Sequence, residues 1–113
     1  MITHYNSLFS GTATASGDTS MTPVNTRHDK EGIFYLDVTD ASGINPTLDV
    51  AFKVYDGFTQ KWYELASFSR KTGVCTDAGF IEYGLDDSVA VFYTIGGTNP
   101  SFTFSVTAHF KES

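Results

Sequence analysis

The chain has 113 residues, 41% of them hydrophobic, and 13 Asp and Glu against 7 Lys and Arg give it a formal net charge of -6. That length suits one domain with its own core, which needs no metal or disulfide to fold, and the single cysteine, Cys75, has no intrachain partner. The acidic balance excludes a protein that grips nucleic-acid phosphates by counterion release, and no apolar run approaches the ~20 residues of a membrane span.

In chain order, the start shows no signal-peptide pattern, so the expectation is synthesis in a cytoplasm without export through the general secretion route. Residues 7–20 are rich in Ser, Thr, Gly and Ala around Leu8 and Phe9. The alternation of Thr12 to Ser16 allows an edge strand with little to bury, and Gly17-Asp18-Thr19-Ser20 reads as a turn. Met21 to Val24 could add a short strand before a charged, irregular stretch. Residues 1–30 are therefore taken as an N-terminal arm or edge segment that reaches a neighbour, and residues 31–113 as a single β-sandwich domain.

Gly32 opens the first strong strand, with Phe34, Leu36 and Val38 on one face and Tyr35, Asp37 and Thr39 on the other. Gly43-Ile44-Asn45-Pro46 follows, and then Leu48, Val50, Phe52 and Val54 alternate with polar residues. The same device recurs: Val89, Val91, Tyr93 and Ile95 precede Gly97-Thr98-Asn99-Pro100, and Phe102, Phe104, Val106, Ala108 and Phe110 follow it. Glycine supplies an unusual φ, asparagine bonds its own turn backbone, and proline biases the asparagine before it toward an extended conformation. Each copy thus predicts a strand, a tight turn and a strand. Matching apolar faces pairs Val38 with Leu48, Leu36 with Val50 and Phe34 with Phe52 in the first hairpin, and Ile95 with Phe102, Tyr93 with Phe104 and Val91 with Val106 in the second. That register sets Asp37 across from Asp49.

Between the repeats, Asp56-Gly57 signals a hairpin into Lys61 to Phe68. The pattern there is mixed, with Trp62, Glu64, Ala66 and Phe68 on one face and Tyr63 and Leu65 on the other. Residues 69–77 read as a loop or distorted edge, and Ala78 to Leu85 as a short strand before an acidic turn at Asp86-Asp87-Ser88. No window carries the helical spacing of apolar residues. The fold class is all-β: an antiparallel β-sandwich or jelly-roll-like barrel of about seven or eight strands.

Chemistry is sparse. His4, His28 and His109 show no spacing that suggests a metal cage or a base beside a nucleophile, no serine stands in a nucleophile elbow, and no glycine-rich loop opens a helix. The expectation is no enzyme, no cofactor and no metal. Asp37 facing Asp49 is unfavourable unless the register differs or Lys53, an arginine of a neighbouring strand, a divalent cation, or a Lys or Arg of a partner lies beside the pair. Two carboxylates alone make a poor calcium site, which favours the protein partner. Tyr35, Tyr55, Tyr63 and Leu65 exceed what one sheet face can bury and point to an oligomeric or partner interface. An alternative use of Trp62, Tyr63, Tyr55, Tyr35 and Phe58 is as platforms for sugar rings, as in a carbohydrate-binding module.

The strand Phe34 to Thr39, the segment Ser42-Gly43-Ile44-Asn45-Pro46-Thr47-Leu48-Asp49-Val50, the strand Lys61 to Phe68 and the stretch Ile95-Gly96-Gly97-Thr98-Asn99-Pro100-Ser101-Phe102-Thr103-Phe104 occur in an order and spacing that resemble small virion proteins of tailed bacteriophages. The likeness spans roughly residues 32–106. It implies a structural component of the particle, a capsid decoration or cement protein made in the host cytoplasm and seated on the virion surface, or else a tail or baseplate sandwich domain. Its partners would be the major capsid protein and copies of itself in a trimer, with no nucleic acid and no membrane.

Overall fold

A computed structural model describes residues 3–21, 24–25, 29–81 and 88–112. They form antiparallel strands β1 (Thr3–Ala13), β2 (Gly17–Asp18), β3 (Val24–Asn25), β4 (Asp29–Asp56), β5 (Lys61–Ser67), β6 (Cys75–Ile81) and β7 (Ser88–Glu112), with no helix among the described residues. The Asp86-Asp87 turn, residues 82–85 of the strand expected there, and the side chains of His4 and His28 lie outside the described residues.

β4 and β7 pair with each other almost end to end, from Asp29 opposite Glu112 to Tyr55 opposite Ser88. A straight strand of 28 residues would reach about 90 Å at ~3.3 Å per residue, yet the longest dimension of the molecule is 43 Å. The two-stranded ribbon therefore folds back on itself. It does so where its register shifts, between Ser42 and Thr47 on β4, with Ile44 opposite Thr98. The arms before and after the fold lie in two facing sheets. The first sheet holds β1, the C-terminal arm of β7, the N-terminal arm of β4, and β6. The second holds β5, the C-terminal arm of β4, the N-terminal arm of β7, and the short β2 and β3. This is the jelly-roll form of the antiparallel sandwich, as the period-2 alternation predicted.

The inward faces are the alternating apolar positions. Phe34, Leu36, Val38, Leu48, Val50, Phe52, Val89, Val91, Phe102, Phe104, Val106, Ala108 and Phe110 are all buried, and Leu8, Ala13 and Phe68 join them from the edges. Burial of a large apolar side chain contributes about 1.5 to 3 kcal/mol, so this layer supplies the main drive for folding.

The two Gly-x-Asn-Pro segments are not hairpin turns, and the register derived from that reading does not form. Val38 pairs with Phe104, Leu36 with Val106 and Phe34 with Ala108, while Leu48 pairs with Ile95, Val50 with Tyr93 and Phe52 with Val91. Two of the six apolar pairs inferred from face matching, Phe34 with Phe52 and Tyr93 with Phe104, do meet, but across the sandwich rather than side by side. The Phe34 and Phe52 ring centroids lie 4.2 Å apart and those of Tyr93 and Phe104 5.5 Å apart. The two motifs instead lie antiparallel against each other. Gly43 and Gly97 have φ of 112° and 111°, and Asn45 and Asn99 have φ of 51° and 50°. A Cβ on Gly43 would sit 2.7 Å from the Asn99 carbonyl oxygen, and one on Gly97 would sit 2.7 Å from the Asn45 carbonyl oxygen. Glycine is needed twice over at each site, for its φ and for the approach of the other motif's backbone. The left-handed glycine and asparagine that would suit a hairpin here bend both strands of one ribbon together.

Two bulges explain the irregular patterns. On β5, Lys53 pairs with Glu64 but Phe52 pairs with Ala66, so Leu65 is an extra residue. Trp62 and Glu64 thus face outward while Ala66 turns inward, which accounts for the mixed alternation of this strand. On β1, Ser7 pairs with Thr107 and Phe9 with Val106, and the extra residue, Leu8, is buried in the core. The Asp56-Gly57 hairpin forms as expected, with the Gln60 N–H donating to the Asp56 carbonyl and the Asp56 carboxylate accepting from the Phe58 N–H.

Gly43→Val and Gly97→Val are each expected to cost at least about 1 to 3 kcal/mol from backbone strain alone. Because they share one junction, the double variant should depart from additivity. Gly73→Ala, where an added Cβ meets nothing within 4 Å, should stay within about 0.5 kcal/mol of wild type. Chemical denaturation of the four variants checks this.

Candidate functional site

The two outer faces of the sandwich differ in chemistry. Outward positions of the first sheet are mainly hydroxyl-bearing and aromatic. Thr12 and Thr103 share a hydroxyl hydrogen bond of 2.8 Å between β1 and β7. Six residues farther along β7, Tyr5, 77% exposed, stacks on His109 with ring centroids 4.0 Å apart. The His109 Nε2 is buried with no hydrogen-bond partner among the described residues. Tyr35 is 43% exposed and sits in register between Ala78 on β6 and Thr107 on β7. Glu31 and Lys111 form an ion pair of 3.8 Å at one end of this face. Asp37, between Thr76 and Ser105, and Asp40, opposite Thr103, are the charged residues within it among the described residues.

The outer face of the second sheet is charged and grooved. A hollow of about 370 Å³ is lined by residues that include Asp49, Lys53, Glu64, Arg70, Phe92 and Thr94. A second, of about 330 Å³, is lined by Ser20, Tyr55, Trp62 and Ser88. Aromatic rings link them: Trp62 lies 5.2 Å from Tyr55 and 5.7 Å from Phe92, and the Lys53 ammonium sits 4.5 Å above the Phe92 ring. Asp18 on β2, opposite Phe92, is held below the usual carboxylate range by its hydrogen bonds from Ser20, with Lys53 adding to the effect.

Asp37 and Asp49 do not face each other, because they lie in different sheets. Asp49 pairs in register with Thr94, and its carboxylate accepts from Arg70 Nε at 3.1 and 3.2 Å and from Arg70 Nη2 at 2.9 Å. Backbone bonds on either side hold Arg70 in place, from the Phe68 N–H to the Val50 carbonyl and, in both directions, between Lys71 and Leu48. They bring the segment alongside β4 with Arg70 over the residue between. The bidentate pair raises the Arg70 pKa above its ordinary value. In the sequence this residue stands in a polar stretch with no marker of its role.

The other residues expected to mark an interface are dispersed. Tyr35 is on the outer face of the first sheet and Tyr55 on that of the second. Tyr63, 47% exposed, lies on the side of Val54 and approaches Thr59 Oγ1 at 3.1 Å. Leu65 packs on the core from its bulge. Phe58 is 95% exposed at the tip of the hairpin. Gly43, Asn45, Pro46, Gly97, Asn99 and Pro100 meet at the fold of the ribbon. Among the described residues no cluster of His, Cys, Asp and Glu could hold a metal ion, and no helix is long and apolar enough to cross a membrane.

An open side of the sandwich is closed by Lys71, which bridges to Leu48 of the second sheet through its backbone and to Asp77 of the first through its ammonium. The ammonium and the Ala78 N–H hold the Asp77 carboxyl below its ordinary range.

No family model and no curated protein matches the chain. Solved structures match the fold over nearly its whole length. The N-terminal CBM22-1–GH10 modules of Clostridium thermocellum endo-1,4-β-D-xylanase 10B are 9% identical with a TM-score of 0.52, over 95% of this chain but only 29% of that one. The Yersinia pseudotuberculosis-derived mitogen is 13% identical with a TM-score of 0.52, over 99% of this chain and 90% of the mitogen. The Eiger TNF of S. frugiperda is 10% identical with a TM-score of 0.51, over 99% and 92% of the two chains. At these identities the likeness is one of fold, and the chain is a β-sandwich module of jelly-roll type.

The Asp77 environment makes a pH prediction. Its folded pKa lies below that of the unfolded chain, about 3.9, so its stabilisation is fully present above about pH 4 and is lost as the pH falls through the folded value. Asp77→Asn should lower the melting temperature at neutral pH, and the gap to wild type should close as the pH falls below about 4. Parallel melting curves across that range test it.

Proposed function

We propose that this chain is a non-enzymatic structural protein of a tailed-phage particle, a head decoration protein that binds the major capsid protein as a homotrimer and stabilises the shell. The observation that carries the reading is the division of charge between the two outer faces. The second sheet displays Asp49, Lys53, Glu64 and Arg70. The first displays threonines, Tyr5, Tyr35 and His109, and between its ends the charges of Asp37 and Asp40, both of one sign. Charge depletion with exposed tyrosine is the composition of a buried interface core, and a heterologous contact between copies that closes into a ring of three uses such a face. A closed ring of copies seated at a symmetry axis of the shell is stabilised by every copy it engages, and it stabilises the assembled shell by binding that state alone. The order of motifs over residues 32–106 supports the phage assignment.

Light scattering should give a mass near three times the 12.4 kDa of one chain. Tyr35→Glu with Thr107→Glu, which sets two carboxylates side by side on the first sheet, should leave a folded monomer. Heads carrying the wild-type protein should open at a higher temperature than heads depleted of it. A wild-type monomer at high micromolar concentration that leaves head melting unchanged would overturn the reading.

A further inference from the structure

We propose that the groove on the outer face of the second sheet binds an uncharged oligosaccharide. The two hollows and the rings between them make one continuous tract along β4, from Tyr55 to Asp49. Those positions are six residues apart, or about 20 Å at ~3.3 Å per residue, which is the length of a few sugar rings. At one end Trp62 stands between Tyr55 and Phe92, all on the outward side, with Ser20 and Ser88 beside it. At the other end Asp49 and Arg70 grip each other, and Lys53 and Glu64 lie across from one another in register.

The occupant follows from this mixture. The four charged side chains that line the larger hollow sum to zero, and Asp18 opposite Phe92 tilts the surroundings further against an anion. A phosphate or uronate would meet carboxylates, and an organic cation would meet Lys53 and Arg70. A purely apolar ligand would strip water from both ion-pair partners without replacing their hydrogen bonds. A pyranose avoids each penalty, since its hydroxyls both donate and accept and can therefore bond to carboxylate oxygens and to guanidinium or ammonium N–H groups alike. Its C–H faces, in turn, fit against aromatic rings such as Trp62 and Tyr55. Arg70 and Asp49 are already held in place by one another and by the backbone bonds of Phe68 and Lys71. Such fixed donors and acceptors lose little freedom when a ligand arrives. The groove lies on the side of the sandwich opposite the face assigned above to contacts between copies, so it would stay open in such an assembly, yet it does not depend on that assignment.

Trp62 is the one tryptophan of the chain, so its fluorescence reports directly on the groove. The intact protein is titrated separately with cellohexaose, xylohexaose and maltohexaose, and with a hexasaccharide of polygalacturonic acid as the anionic control. At least one neutral hexasaccharide should change the Trp62 emission saturably, with the anionic probe weaker by about tenfold or more. Lys53→Met and Asp49→Asn should each weaken that binding by about tenfold while their melting curves and oligomeric mass stay as in wild type. Calorimetry with Trp62→Ala provides a readout independent of fluorescence and should show binding lost. No saturable change with any neutral hexasaccharide, or tighter binding of the anionic one, would overturn the proposal. Loss of head binding in Lys53→Met or Asp49→Asn would also overturn it, because the groove would then be a protein contact. Failure of the trimer or head experiments alone would leave the sugar titration intact, so the two readings fail separately.

Discussion

The fold depends on one close contact, the backbone-to-backbone packing of the two Gly-x-Asn-Pro segments. Each glycine lies where a Cβ would come within 3 Å of the other segment's backbone, and each asparagine takes a left-handed φ. Neither copy has a role alone. Together they let both strands of a long ribbon bend at the same level, so that its halves close face to face around the phenylalanine core. The internal repeat in the sequence is thus the mark of an approximate two-fold relation between β4 and β7, with Ile44 opposite Thr98 near its centre.

That arrangement makes the core non-local. The partners along the ribbon are separated by 33 residues at Tyr55 and Ser88 and by 83 at Asp29 and Glu112, whereas the Asp56-Gly57 hairpin closes within a few. Contacts of this kind repay the loop-closure entropy only after much of the chain is ordered. The short local hairpin and the bridge from Lys71 to Leu48 and Asp77 then secure the edges that the ribbon leaves. Stability is concentrated where the two long strands pair, and the outer faces are left free to differ.

They differ in what they can be buried against at low cost. Hydroxyls and tyrosines on a sheet face can be desolvated against a similar surface at small cost, because few charges must be stripped of water. A surface of paired opposite charges beside aromatic rings resists that kind of burial and suits a small polar ligand. The decoration function proposed above takes the first face for copies of the chain, and the sugar-binding proposal takes the second.

The sequence by itself determined which residues face inward, since a period of two assigns every side chain of a strand to one side or the other. It also marked the Asp56 turn, the absence of helical spacing, and the glycines whose backbone is unusual, whereas Asn45 and Asn99, expected to be extended before proline, are left-handed because the shared bend overrides that local bias. Partner choice was not legible. Phe34 and Phe52 are matched apolar positions whether they sit side by side in a hairpin or across a sandwich, and alternation is identical in the two cases. The positive-φ glycine and left-handed asparagine of the repeats serve a reversal and a shared bend equally well, because local φ preferences do not say what lies across from them. Only the tertiary structure decided that β4 pairs with β7. With that choice made, Asp37 and Asp49 parted, Arg70 reached Asp49, and Trp62, Phe92 and Lys53 gathered in one groove, for such contacts join residues whose neighbourhood is set by packing of the whole chain and by no pattern within any one strand.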